Sequence, residues 1–173
     1  MFPYLLIFRL IHILASVCWA GGAMIFFLFV EPTAKALAPT GNEFVQYMVT
    51  KRRFSIFMVV SSTLTVLSGA LLLWQHGNGQ WLSYVQTGPG LGFTLGSIAG
   101  IAVYFIGLLG VNPRAIQLSK IGAEIQAAGG PPTPAQGALL QKLSKEMSAF
   151  SLADFILVAL SLAFMASARF LLF

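Results

Sequence analysis

The apolar positions of this chain fall into four long blocks, with almost no polar residue at regular intervals inside them. The blocks cover roughly residues 4–30, 54–74, 91–111 and 150–173, each near the ~20 residues that a bilayer core requires. Lipid offers no partner to an unpaired backbone amide, so each block predicts a membrane-spanning helix. The first block stops at Glu31–Pro32. The second follows Lys51-Arg52-Arg53 and ends at Trp74, Gln75 and His76, and the third runs from TGPGLG to Asn112–Pro113. The N-terminal MFPYLLIFRL lacks the basic start of a signal peptide and continues past the length of one, so it reads as part of a retained helix. The expected fold is all-α, an antiparallel transmembrane four-helix bundle forming one integral membrane domain over 1–173, with 31–53 as a loop.

The connection between the third and fourth blocks has a pattern of its own. Residues 113–128, PRAIQLSKIGAEIQAA, are amphipathic at helical spacing, and GGPPTP then breaks the chain. Thr133, Pro134 and Gln136 form a capping-box start, and AQGALLQKLSKEMSAF runs from there into the fourth block without a breaker. Two arms of about 15 residues, each ~22 Å long at 1.5 Å per residue, predict a helical-hairpin stalk over 113–149 with GGPPTP at its tip. In the third block, Gly92, Gly96 and Gly100 recur every four residues. Such a small-residue stripe lets backbones approach closely, within the chain or across a homodimer.

Composition turns the pattern into a class. The 173 residues are 57% hydrophobic and 9% charged, with a mean hydropathy of +0.84, against about 25% charged residues in a soluble domain. The partner of this surface is the lipid bilayer. The net charge of +5 forms no aromatic-interleaved basic patch, which argues against nucleic acid. It marks topology instead. Lys35, Lys51, Arg52 and Arg53 follow the first block, and Arg114, Lys120, Lys142 and Lys145 follow the third, whereas the opposite side holds only Arg9 and Arg169. By the positive-inside rule both termini and the 75–90 connection face outward, with the stalk cytoplasmic, as in a multi-pass protein of a bacterial inner membrane. Trp74, Trp81 and Tyr84 suit an outer interfacial belt. Cys18 is the only cysteine, so there is no intrachain disulfide and no thiol pair for a metal.

Candidate chemistry centres on His12. On a helical wheel it shares one face with Ser16, Trp19, Ala20, Ala23 and Phe27, and an intramembrane ionisable residue is a functional candidate by default. It reads either as a ring hydrogen-bonded to a neighbouring carbonyl or as a haem or metal ligand. His76, the other histidine, lies on the same membrane side. Helix boundaries at Val30 and Trp74 put the two ~6 Å apart in depth, too far to share one iron unless the second helix extends about one turn beyond Trp74. Arg9 and Arg169 are placed to meet haem propionates or to snorkel to the interface. Asp154, the one acid well inside a block, is expected to form an intramembrane ion pair with Arg52, Arg53 or Lys35. The methionines at 1, 24, 48, 58, 147 and 165 form no copper-binding cluster, and no GxSxG, CxxC, phosphate loop or carboxylate pair occurs. No catalytic residues are expected.

The run IHILASVCWAGGAMIFFLFVEP resembles the first helix of the CopD-like family of bacterial membrane proteins: a histidine, a tryptophan seven residues on, Gly-Gly, and a closing proline. KRRFSIFMVVSSTLTVLSGALLLW resembles that family's second span. The resemblance covers roughly residues 5–74 and is weaker through GPPTPAQ and the last span. It implies a bacterial membrane bundle and, for relatives that bind haem, a ligand at His12. A haem-binding oxidase with a similar first helix adds an arginine where that helix ends and a lysine in the third. This sequence has VEPTAK and LGFTLGSIAGIAVYFIGLLG there, so only His12 carries over. Two function classes follow. One is a non-catalytic accessory subunit of a respiratory or photosynthetic complex, packing through the glycine stripe and stalk against other membrane subunits. The other is a haem b- or copper-linked redox protein with His12 as ligand. A transporter ranks third, because no discontinuous helix is visible in the sequence.

Overall fold

The structure, a computed structural model, describes residues 3–171. Four of its helical stretches, Tyr4–Ala36, Phe54–Gly77, Gly88–Ala128 and Pro134–Phe170, are long and apolar enough to cross a membrane. In chain order the elements are α1 (Pro3–Ile25), a π-helical turn (Phe26–Val30), α2 (Glu31–Ala36), α3 (Thr40–Thr50), α4 (Phe54–Gly77) and α5 (Trp81–Val85). They continue with α6 (Gly88–Phe105), a second π-helical turn (Ile106–Val111), α7 (Asn112–Ala128), α8 (Pro134–Ser167) and a 3₁₀ turn (Ala168–Phe170). No strand occurs among the described residues.

The helices do not stop at Pro32 and Pro113. A proline within a helix lacks the N–H that would meet the carbonyl four residues back, and its ring crowds that carbonyl. Both sites, Val30-Glu31-Pro32 and Val111-Asn112-Pro113, meet this constraint by widening the preceding turn. The Glu31 N–H donates to Phe26 O and the Asn112 N–H to Gly107 O, each five residues back, which is the π pattern. At the second site Arg114 Nη1 donates to Gly110 O at 2.9 Å and to Leu109 O at 3.3 Å. Leu109 O is the carbonyl that Pro113 leaves without its helical donor.

Two close helix pairs build the molecule. In the first, α1 meets α4 with His12 beside Thr65 and Gly69, while Gly22 faces Met58 and Phe54. In the second, α6 meets α8: Gly92 lies against Ala168, Gly96 against Met165, Gly100 against Ser161 and Gly110 against Phe150. Ser161 Oγ donates to Gly96 O at 2.8 Å. In both pairs the partner's number falls as the residue number rises. The glycine stripe therefore faces another helix of the same chain, where missing side chains admit Met165 and Ser161. The pairs join through a core of Trp19, Ala20, Val103 and Val158, with Met24, Met58, Tyr104 and Leu157 packed around it. Leu14 (65% exposed) and Val17 (66%) point away from that core, an arrangement that suits hydrocarbon rather than water as the solvent. The free thiol of Cys18 shares this exposed side.

Residues 31–53 are not a loop. They form α2 and α3, and α3 packs on α7, where Gly122 leaves room for Gln46. Helix α7 also contacts α8, tied by Arg114 Nε to Glu146 Oε2 at 2.9 Å. The capping box at the start of α8 is complete. Gln136 N–H donates to Thr133 Oγ1 at 3.3 Å and Thr133 N–H donates to Gln136 Oε1 at 3.0 Å.

Candidate functional site

The wheel face predicted for α1 is turned inward. His12 Nδ1 lies 2.9 Å from the carbonyl oxygen of Thr65 and 3.4 Å from Ser68 Oγ. A carbonyl can only accept, so Nδ1 carries the proton and Nε2 keeps its lone pair. Gly69 makes the approach feasible, because a Cβ there would stand 2.7 Å from His12 Cε1. One turn on, Ser16 Oγ donates to the His12 carbonyl. His76 is oriented the same way, with Nδ1 2.7 Å from Leu72 O and its ring 6.3 Å from that of Phe93, centroid to centroid.

Arg9, His12, His76 and Arg169 all line one cavity of about 470 Å³, together with Gly69, Tyr84, Phe93, Ser97 and Met165. The sequence singled out the first four, and the fold brings them to one place. Burial raises the Tyr84 hydroxyl above the ordinary phenol value. A second cavity of about 610 Å³ shares His12, Gly69, Ser97 and Met165 and continues down to Trp19, Val103 and Val158. Both volumes lie in the 300–1,000 Å³ range of ligand sites.

The two histidines remain at different depths. Their acceptor carbonyls, at residues 65 and 72 of α4, are seven positions apart, ~10 Å along a helix at 1.5 Å per residue. Both rings nonetheless line one cavity. Among the described residues no group of three His, Cys, Asp or Glu side chains gathers around any point.

Asp154 does not form the expected ion pair. Lys35 Nζ goes instead to Glu31 Oε1 at 2.6 Å and to Ser148 Oγ at 2.6 Å. Ser148 Oγ in turn donates to the same Glu31 oxygen at 2.5 Å. The reason is α2: the helix continues past Pro32 and sets Lys35 one turn from Glu31, closer than any carboxylate on α8. Asp154 is 7% exposed and makes no hydrogen bond or ion pair with any described residue. It faces a third cavity, of about 90 Å³, with Ser62, Tyr104, Gly107, Asn112 and Ser151 on its wall and Trp19 at its edge. Trp19 thus stands between the Asp154 cavity and those beside His12.

Sequence reasoning missed the residues that position His12. Thr65, Ser68 and Gly69 lie on the α4 face that leads to Leu72 and His76, at steps of three and four, and that periodicity was the available signal. Ser151 and Asn112 carried no signal, because a lone serine or asparagine in an apolar block is uninformative until its partners are known. No protein-family model, curated protein or solved structure matches the chain.

Proposed function

We propose that this chain is a CopD-like protein of a bacterial inner membrane that holds haem b through His12. Both termini would face outward, and the four spans would form an antiparallel bundle with its stalk in the cytoplasm. Orientation rests on the eight Lys and Arg residues of the 31–53 and 112–149 segments against Arg9 and Arg169. What carries the functional reading is the state of His12. Its Nδ1 is held by a backbone carbonyl, and its ring lines the cavity that Arg9, His76 and Arg169 also line. An imidazole whose second nitrogen is fixed in this way is oriented and made more basic as a ligand.

The donor set favours haem over a bare metal ion. A protein-bound copper or zinc ion needs about three or four side-chain ligands, and none of the described residues form such a group. A macrocycle brings its own equatorial nitrogens and asks the protein for one or two axial ligands. His12 fits that demand, and Arg9 and Arg169 fit carboxylates at the rim. When bound, haem supplies one-electron iron chemistry. The chain's own part is to hold the His12 tautomer through Thr65, to admit the ring beside Gly69, and to exclude water below with Trp19 and Val103. We assign the ligand to His12 and place His76 in the polar rim with Arg9, because their carbonyl anchors lie ~10 Å apart along α4.

The accessory-subunit reading drew on the glycine stripe and the stalk as contact surfaces and on the lack of a second convincing ligand. Gly92, Gly96 and Gly100 lie against the last helical stretch of the same chain, which removes the first of these supports. Absorption spectroscopy of protein purified from haem-replete cells tests the proposal. A Soret band is expected that is lost in His12→Ala and retained in His76→Ala. A band that persists in His12→Ala overturns the ligand assignment.

A further inference from the structure

We propose that the cavity beside Asp154 binds a small monovalent cation of the sodium class. The site is separate from the His12 cavity and independent of any haem. Asp154 and Ser151 lie three residues apart on one face of α8, and both are more than nine-tenths buried, at 7% and 5% exposed. Ser151 Oγ is buried without any hydrogen-bond partner, and so is Asn112 Oδ1. All three side chains line the same cavity of about 90 Å³, several times the minimum volume that holds one water molecule. A carboxylate, a hydroxyl oxygen and an amide oxygen therefore converge on one space within the apolar span.

A carboxylate removed from water costs several kcal/mol unless a charge or hydrogen bonds compensate it. Two basic side chains that reach α8 in the turns before Ser151 are already engaged. Lys35 is held by Glu31 and Ser148, and Arg114 by Glu146 and the carbonyls of Leu109 and Gly110. What the cavity offers is oxygen, the donor that hard cations select. Charge sets the valence. One carboxylate neutralises a monovalent ion, whereas a divalent ion would leave an uncompensated positive charge in the same low-dielectric space. The π-helical turn shapes the wall: Gly107 lies at its start, with the Asp154 Oδ1 atom 3.6 Å from where a Cβ would be, so the carboxylate packs directly on the widened backbone. π-helical turns of this kind are frequent at functional sites.

Thermal unfolding of the full chain in detergent, in NaCl against choline chloride at matched ionic strength, tests this. A ligand bound only by the native state lowers the unfolding constant by the factor 1 + [L]/Kd. Sodium is therefore expected to stabilise saturably, about tenfold in that constant when [Na⁺] is ten times Kd, and choline is not. Ser151→Ala should move the half-saturating sodium concentration upward several-fold with the fold intact. Asp154→Asn should abolish the sodium response and be more stable than the parent chain in choline. Equal stabilisation by both salts overturns the proposal, as does a sodium response that Ser151→Ala leaves unchanged. If Asp154→Asn does not fold, the Ser151→Ala titration decides alone.

Discussion

At the scale of single residues the informative contact is the one between His12 and Gly69. Alanine at 69 would place a methyl carbon 2.7 Å from His12 Cε1 and 3.0 Å from Nδ1, so the ring must shift, and its hydrogen bond to the Thr65 carbonyl is expected to be lost. Two effects on stability then oppose each other. Glycine to alanine within a helix gains up to ~1 kcal/mol, and the lost hydrogen bond costs about 1 kcal/mol. Gly69→Ala is thus expected to fold with nearly unchanged stability but with an altered His12. Imidazole nitrogen NMR shifts check this: the parent should show a neutral Nδ1–H tautomer, and the variant a tautomer mixture. An unchanged His12 spectrum would show that Gly69 does not position the ring. The sequence made His12 legible because an isolated histidine in an apolar block is conspicuous. Its controlling neighbour was not, because the meaning of Gly69 depends on how two helices are rotated against each other. The same ignorance of rotation misassigned Asp154, whose expected partner Lys35 turned out to lie one helical turn from Glu31.

Among the elements, the helices on either side of GGPPTP and the capping box at Thr133 were readable, since periodicity and capping chemistry are local. The helix α3 was not. GNEFVQYMVT is short and mixed, and it is stabilised by its contact with α7 rather than by a pattern of its own. The π-helical turns were missed for a different reason. The prolines at 32 and 113 were read as ends, whereas a single widened turn lets the helix pass them. Arg114 is the residue on which the second of these turns depends most. Removing its side chain takes the donor from the Leu109 carbonyl, which Pro113 cannot supply, takes the guanidinium from over the Phe150 ring, 4.4 Å away, and breaks the pair with Glu146. A carbonyl left unpaired away from water costs about 1–3 kcal/mol, while a partly exposed ion pair contributes about 0–1 kcal/mol. Arg114→Ala should therefore destabilise the protein by about 2–4 kcal/mol, and Glu146→Ala by less than about 1 kcal/mol. Chemical unfolding in detergent measures the difference, and equal losses would assign the effect to the ion pair alone.

For the whole molecule, composition was enough to point to helices able to cross a membrane, and charge asymmetry is what the proposed orientation rests on. A cysteine at position 133 should label only from the cytoplasmic side; labelling from the outside would invert the proposed topology. What no sequence pattern contained is the stacking of the cavities, with His12 on one side of Trp19 and Asp154 on the other. The layer of Trp19, Ala20, Val103 and Val158 between them is apolar, and any water held by the polar groups around His12 and Asp154 would lie on either side of it. Most of any transmembrane voltage would then fall across that layer. At 100 mV, an elementary charge crossing it gains or loses about 2.3 kcal/mol, so Trp19 and its neighbours work as the dielectric of a small capacitor. Trp19→Ala should turn insulator into leak. Liposomes bearing the variant, polarised by a potassium gradient with valinomycin and loaded with a pH-sensitive dye, should change internal pH faster than liposomes bearing the parent. Equal rates would show that Val103 and Val158 insulate without the indole.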